Sequence, residues 1–133
     1  MDLAALIAWV ITAGGGFVLL AIWLKNGGMT QRDRGQIRSA IILTHFALAA
    51  VGLVLWIVYV AGAPNTVAWI AFALLLVVTL IGFTMFGRWL SQRRKHDAAS
   101  AEQRFPIVIV GAHGLLATTT LLLVFLAAAG VGS

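Results

Sequence analysis

Four apolar runs, each long enough to cross a bilayer and each free of Asp, Glu, Lys and Arg, govern what this chain can fold into. They cover about Leu3 to Leu24, Ser39 to Ala61, Val67 to Phe86 and Pro106 to Gly130. A hydrocarbon core about 30 Å thick takes about 20 helical residues to span. Lipid offers no partners to backbone N–H and C=O groups, so each run is expected to close its own hydrogen bonds as a helix. With 133 residues, 62% of them hydrophobic, one bundle uses the whole length. The expected fold is all-α, a four-transmembrane-helix bundle forming a single membrane domain over 1–133. Gly62-Ala63-Pro64-Asn65, a cluster of chain breakers, reverses the chain between the second and third runs. The other two connections are longer and polar.

The nine Lys and Arg residues fall in those two longer connections or at their edges: Lys25, Arg32, Arg34 and Arg38, then Arg88, Arg93, Arg94, Lys95 and Arg104. Basic residues concentrate on the cytoplasmic side of membrane proteins. Both long loops are therefore expected in the cytoplasm, with the N-terminus, the C-terminus and the short turn outside, in a multi-pass protein of a bacterial-type plasma membrane. No basic residue precedes the first run and Lys25 follows it, the reverse of a cleaved leader, so that run is expected to persist as a helix. The formal charge of +5 sits in clusters flanking apolar runs rather than along a phosphate-binding face, which argues against a nucleic-acid partner. Cysteine is absent, so disulfides, thiolate metal sites and iron–sulfur clusters are excluded. Any metal must use other ligands.

The two halves resemble each other. Gly16-Phe17 and Trp23-Leu24 match Gly82-Phe83 and Trp89-Leu90 at a spacing of 66, and Ile41, His45, Leu53 and Gly62 match Ile109, His113, Leu121 and Gly130 at 68. A two-residue insertion in the second long loop accounts for the shift. The reading is two parallel two-helix repeats, about 1–62 and about 66–130, related by a pseudo-two-fold axis along the membrane normal.

His45 and His113 are the ionisable residues inside the runs. Ionisable groups at membrane depth are costly and call for an explanation. His45 lies seven residues beyond Arg38 and His113 seven beyond Pro106, which puts each about 10 Å from the cytoplasmic end of its helix. On parallel helices related by the proposed axis, the two imidazoles are expected to face each other across the core. That arrangement suits the two axial ligands of one haem b. A simpler role is also open, in which each histidine bonds a Thr hydroxyl or a backbone carbonyl across the bundle. His96, in Arg-Arg-Lys-His-Asp, reads as a solvated loop residue.

A flat macrocycle needs room. Gly14-Gly15-Gly16 in the first helix and Gly82, with Gly87 further on, in the third lie near the depth of the histidines, and Gly111 and Gly114 flank His113. Arg38, two turns from His45 on about the same face, is the first candidate to pair with a haem propionate; Arg34 and Arg104 follow. Thr12, Thr79, Thr84, Thr118, Thr119 and Thr120 are expected to bond back to their own helices.

Two histidines at one level on helices 2 and 4 of a small bundle resemble one haem site of the cytochrome b561-type membrane proteins. The resemblance implies a four-helix haem protein, here with one histidine pair, His45 and His113, and one haem per chain. The Ala-His-Gly-Leu-Leu-Ala-Thr run in helix 4 also looks like small actinobacterial membrane proteins. The expected function is a b-type membrane cytochrome passing electrons to or from a quinol or a respiratory partner, an electron carrier more than a stand-alone enzyme. The alternative is a non-catalytic accessory or assembly subunit that packs its apolar faces on a larger membrane complex, with structural histidines; an oligomer is open to either. A haem carrier or gas sensor would share the site but leave one coordination position weak. A small proton-coupled transporter would need a membrane carboxylate, and the runs contain none.

Overall fold

The computed structural model describes residues 1–30, 37–95 and 100–132. Arg32, Arg34 and His96, singled out in the sequence, lie outside the described residues. The described chain forms α1 (Asp2–Lys25), α2 (Ser39–Val60), α3 (Asn65–Arg94), a 3-10 turn (Ala101–Arg104) and α4 (Ile107–Ala128). All four α-helices are long and apolar enough to cross a membrane.

Three helices end within a residue or two of the apolar runs. The third does not: α3 continues eight residues past Phe86 to Arg94, so Arg88, Arg93 and Arg94 ride on a helix rather than in a loop. Hydropathy marks where lipid stops, not where a helix must, and Arg and Gln propagate a helix well in water. Proline marks two of the starts. Pro64 and Pro106 precede α3 and α4 with φ of −59° and −64°, already near the helical value and with no N–H to leave unpaired. Gly62 turns the α2–α3 connection at a φ of +114°, open to glycine and strained for other residues.

Around the bundle the order is α1, α2, α3, α4. Each helix packs on its two neighbours, and α1 and α3, like α2 and α4, stand on opposite corners. Successive helices alternate in direction, so both chain ends and the α2–α3 turn meet at one end. There Trp56 donates Nε1–H to the Asp2 carbonyl at 3.3 Å and Asn65 donates Nδ2–H to the Ala128 carbonyl at 3.1 Å. We call this the turn end, and the other, with the two polar connections, the basic end.

The core lies at the turn end. Ala5, Ala68, Ala71 and Ala127 are fully or nearly buried, and their small side chains bring the helices close. Trp9 and Trp56, with ring centroids 6.4 Å apart, fill the space that remains. Gly52 faces this pair, and a methyl added there would stand 3.0 Å from Trp9 Cζ2, whereas one at Gly14 would meet nothing within 4 Å. Gly52→Ala is expected to destabilise by about 1–3 kcal/mol through overpacking. Gly14→Ala is expected to be neutral or to gain up to about 1 kcal/mol of helix propensity. Denaturation in detergent measures both, and equal effects would contradict this packing.

A second packed layer closes the basic end. Trp23, fully buried, donates Nε1–H to Glu102 Oε1 at 2.9 Å, and Trp89 donates to the Glu102 carbonyl at 2.8 Å. One residue of the 3-10 turn thus ties the ends of α1 and α3 together. Gly28 lies on the other side of Trp23, so close that any side chain there would overlap the indole, and Ser39 at the start of α2 donates to the Gly28 carbonyl at 3.3 Å. The Arg93 guanidinium sits 5.3 Å above the Trp89 ring, a cation–π contact on the water side.

Candidate functional site

Between these two packed layers the bundle changes character. Thr12, Gly52, Thr79 and Thr120 are the last buried residues on the turn side; Trp23, Ile37, Trp89 and Glu102 are the first on the basic side. Not one residue of 13–22, 38–51, 80–88 or 107–119 is buried. Protein interiors are normally packed as densely as organic crystals. Over some three turns the four helices here carry only half-buried and exposed side chains. From Thr12 to Trp23 the layer is about 16 Å tall at 1.5 Å per residue.

His45 and His113 stand in this layer. They project from α2 and α4, on opposite corners, and their ring centroids are 6.5 Å apart with planes at 72°. The structure therefore brings together at one level two side chains that are 68 positions apart. Each ring is held by a neighbouring helix. His45 Nδ1 lies 3.0 Å from the Val78 carbonyl of α3, and His113 Nδ1 lies 3.0 Å from the Thr12 carbonyl of α1. A carbonyl oxygen only accepts, so Nδ1 carries the proton in both residues and Nε2 of the neutral ring carries the lone pair. Among the described residues neither Nε2 has a hydrogen-bond partner.

Glycine decides how close the rings approach. A methyl at Gly82 would sit 3.1 Å from His45 Cε1, and one at Gly16 would sit 3.2 Å from His113 Cε1. Gly15 also borders His113 Nδ1, at 3.5 Å. These small residues, read from the sequence as room for a macrocycle, seat the imidazoles themselves. Gly111 and Gly114 differ, since a methyl at either meets nothing within 4 Å. Two residues before His113, Gly111 is turned about 200° around the helix from it. Arg38 is exposed at the foot of α2, one residue before its first turn, and Arg104 is exposed at the last position of the 3-10 turn.

The threonines behave as expected and one pair does more. Thr12, Thr79, Thr84, Thr118, Thr119 and Thr120 all donate to the carbonyl four residues back. Thr12 and Thr120 also bring their hydroxyl oxygens to 2.9 Å, on the turn side of the histidine layer. Thr12 thus holds α4 twice, through its hydroxyl and through its carbonyl to His113. Neither the carbonyl acceptors nor Glu102 carried a sequence signal. Any residue offers a carbonyl, and a carboxylate in a basic loop reads as solvated.

Among the described residues no three His, Cys, Asp or Glu side chains cluster as a metal site. What the layer offers is two imidazole nitrogens, one on each ring, without a hydrogen bond among the described residues. No protein-family model matches the chain, and neither a curated protein nor a solved structure matches it.

Proposed function

We propose that the chain is a b-type membrane cytochrome that holds one haem b between His45 and His113 and passes electrons to or from a quinol or a respiratory partner. The observation that carries this reading is the pair of imidazoles at one level, 6.5 Å apart, each held through Nδ1 and with no hydrogen bond to Nε2 among the described residues. A carbonyl bond accounts for one nitrogen of each ring. It leaves the other nitrogen of each ring with its lone pair open to a ligand.

His45 and His113, with ring centroids 6.5 Å apart, would hold the group through their Nε2 atoms. When bound, haem supplies reversible one-electron transfer. The chain's own part is to bind and orient. The Nδ1–H bonds to Val78 and Thr12 fix each tautomer and raise the basicity of the ligating nitrogen, the usual work of groups behind a metal ligand. The Trp23–Glu102–Trp89 layer closes the basic end of the bundle, and Arg38, exposed at the foot of α2, would pair with a propionate.

The duplication supports the same reading. Val78 and Thr12, whose carbonyls take the two histidines, stand 66 apart, the spacing that relates Gly82 to Gly16. Under the two-repeat reading each half contributes an equivalent ligand, acceptor and glycine seat. The basic connections orient the chain with both long loops cytoplasmic and the haem nearer that face of a bacterial-type plasma membrane.

Protein purified from haem-replete cells is expected to show a Soret band and, after dithionite, a sharp α-band, at one haem per chain. With His45 and His113 both as ligands, carbon monoxide would leave the reduced spectrum unchanged. A colourless preparation would defeat the cytochrome and favour the accessory subunit. A carbon monoxide shift would favour a gas-binding protein instead.

A further inference from the structure

We infer that Trp9, Trp56 and Tyr59, with Asp2 beside them, form a redox relay at the turn end, which moves an oxidising equivalent from the bundle interior to a tyrosine at its rim. Such a relay needs no haem, so it stands or falls apart from the cytochrome.

The three rings form a row. Trp9 and Trp56 lie with centroids 6.4 Å apart, and Trp56 and Tyr59 with centroids 5.0 Å apart, the range of direct aromatic contact. Trp9 is 2% exposed and Trp56 is fully buried, whereas Tyr59 is half-buried, so the row runs from the core outward. Its inner end borders the histidine layer, since Trp9 precedes by one turn Thr12, whose carbonyl holds His113. Its outer end meets a base. Tyr59 directs its O–H to Asp2 Oδ2 at 3.5 Å, and Trp56 donates Nε1–H to the Asp2 carbonyl at 3.3 Å.

Packing alone does not ask for these side chains. Under the two-repeat reading, the spacings of 66 and 68 that relate the halves carry Asp2 to Ala68, Trp9 to Leu75, Trp56 to Val124 and Tyr59 to Ala127. All four counterparts are buried in the same core. The bundle therefore fills equivalent places with aliphatic side chains in one half, and with a carboxylate and three oxidisable rings in the other.

A one-electron oxidant of the radical class, such as a lipid peroxyl radical, takes an electron from Trp9 and leaves as its hydroperoxide anion. Trp56 refills Trp9, and Tyr59 refills Trp56. A phenol radical cation is strongly acidic and its charge is costly in an apolar setting, so the Tyr59 O–H proton passes to the Asp2 carboxylate as the electron leaves. The products are a neutral tyrosyl radical and a protonated Asp2. A reductant at the rim returns the electron, and Asp2 returns the proton.

The test is flash photo-ionisation of the indoles in the purified chain, with an electron scavenger present, followed by transient absorption. Tyr59 is the one tyrosine in the sequence, so any tyrosyl band belongs to it. In the wild type the indole radical band is expected to decay as the tyrosyl band grows. Trp56→Phe, which keeps a ring but not a readily oxidised one, is expected to lose most of that growth. Asp2→Asn, which keeps the carbonyl for Trp56, is expected to slow it. Trp69→Phe, at an exposed indole outside the row, is expected to leave it unchanged, and circular dichroism checks each fold. Indole radicals that decay in the wild type without a tyrosyl band would overturn the relay, as would wild-type growth in Trp56→Phe or its loss in Trp69→Phe. Wild-type growth in Asp2→Asn would overturn Asp2 as the proton acceptor.

Discussion

His113→Ala is expected to emerge from the membrane folded and without a Soret band. The two consequences of the substitution differ greatly in size. As a structural residue His113 contributes one interhelical hydrogen bond, to the Thr12 carbonyl at 3.0 Å. Such bonds within membranes are worth about 0.6–1.7 kcal/mol, and Thr12–Thr120 still joins the same two helices. Under the proposed function it would be a ligand: changes to groups behind a ligand already weaken metal affinity roughly 10–100-fold, and losing the ligand itself is expected to exceed that. His45→Ala should behave alike. Pigment per mole of protein, with circular dichroism as the check on folding, separates the roles. Variants that keep the wild-type spectrum, or that lose stability but never had pigment, would leave the histidines as structural bonds only.

Trp23→Ala is expected to be the most destabilising single truncation in the basic half, by about 3–5 kcal/mol. The indole is fully buried, covered by Gly28 and bonded to Glu102. Its removal leaves a cavity and takes a donor away from a buried carboxylate. Trp69 makes the comparison. It is 39% exposed at the turn end and touches Phe72 and Phe125 edge-on, so Trp69→Ala is expected to cost about 1 kcal/mol. Glu102→Gln keeps an oxygen for the Trp23 donor and should fall well short of the Trp23 loss. The three midpoints in one detergent decide the matter. A Trp23→Ala midpoint no lower than that of Trp69→Ala would show that the indole is not the keystone of the basic end.

The helices were legible in the sequence because lipid punishes any other backbone, and the absence of charge from four long runs marks them without reference to packing. The meeting of His45 and His113 was legible for a related reason: in a bundle of alternating direction, depth can be counted from the ends. What lay beyond reading was whatever depends on a neighbour's backbone. The sequence says nothing of Val78 and Thr12, whose carbonyls take the imidazoles, because their side chains play no part. Nothing in the sequence marks Trp23 and Trp89 as buried, and only a 3-10 turn 79 residues from Trp23 reveals that both are buried donors to one glutamate. The far end of α3 was hidden differently, since its last turns leave the lipid and hydropathy no longer tracks them.

The ring order of the helices carries a consequence for biogenesis. The first and last helices are neighbours, so the circle closes only when the end of the chain arrives. Until then α1, α2 and α3 form an open trough with His45 on its inner wall and Gly16 and Gly82 along its sides. His113 comes with the piece that shuts it. The contact between the two imidazoles, like the Thr12–Thr120 pair, can therefore form only once the last helix is in place.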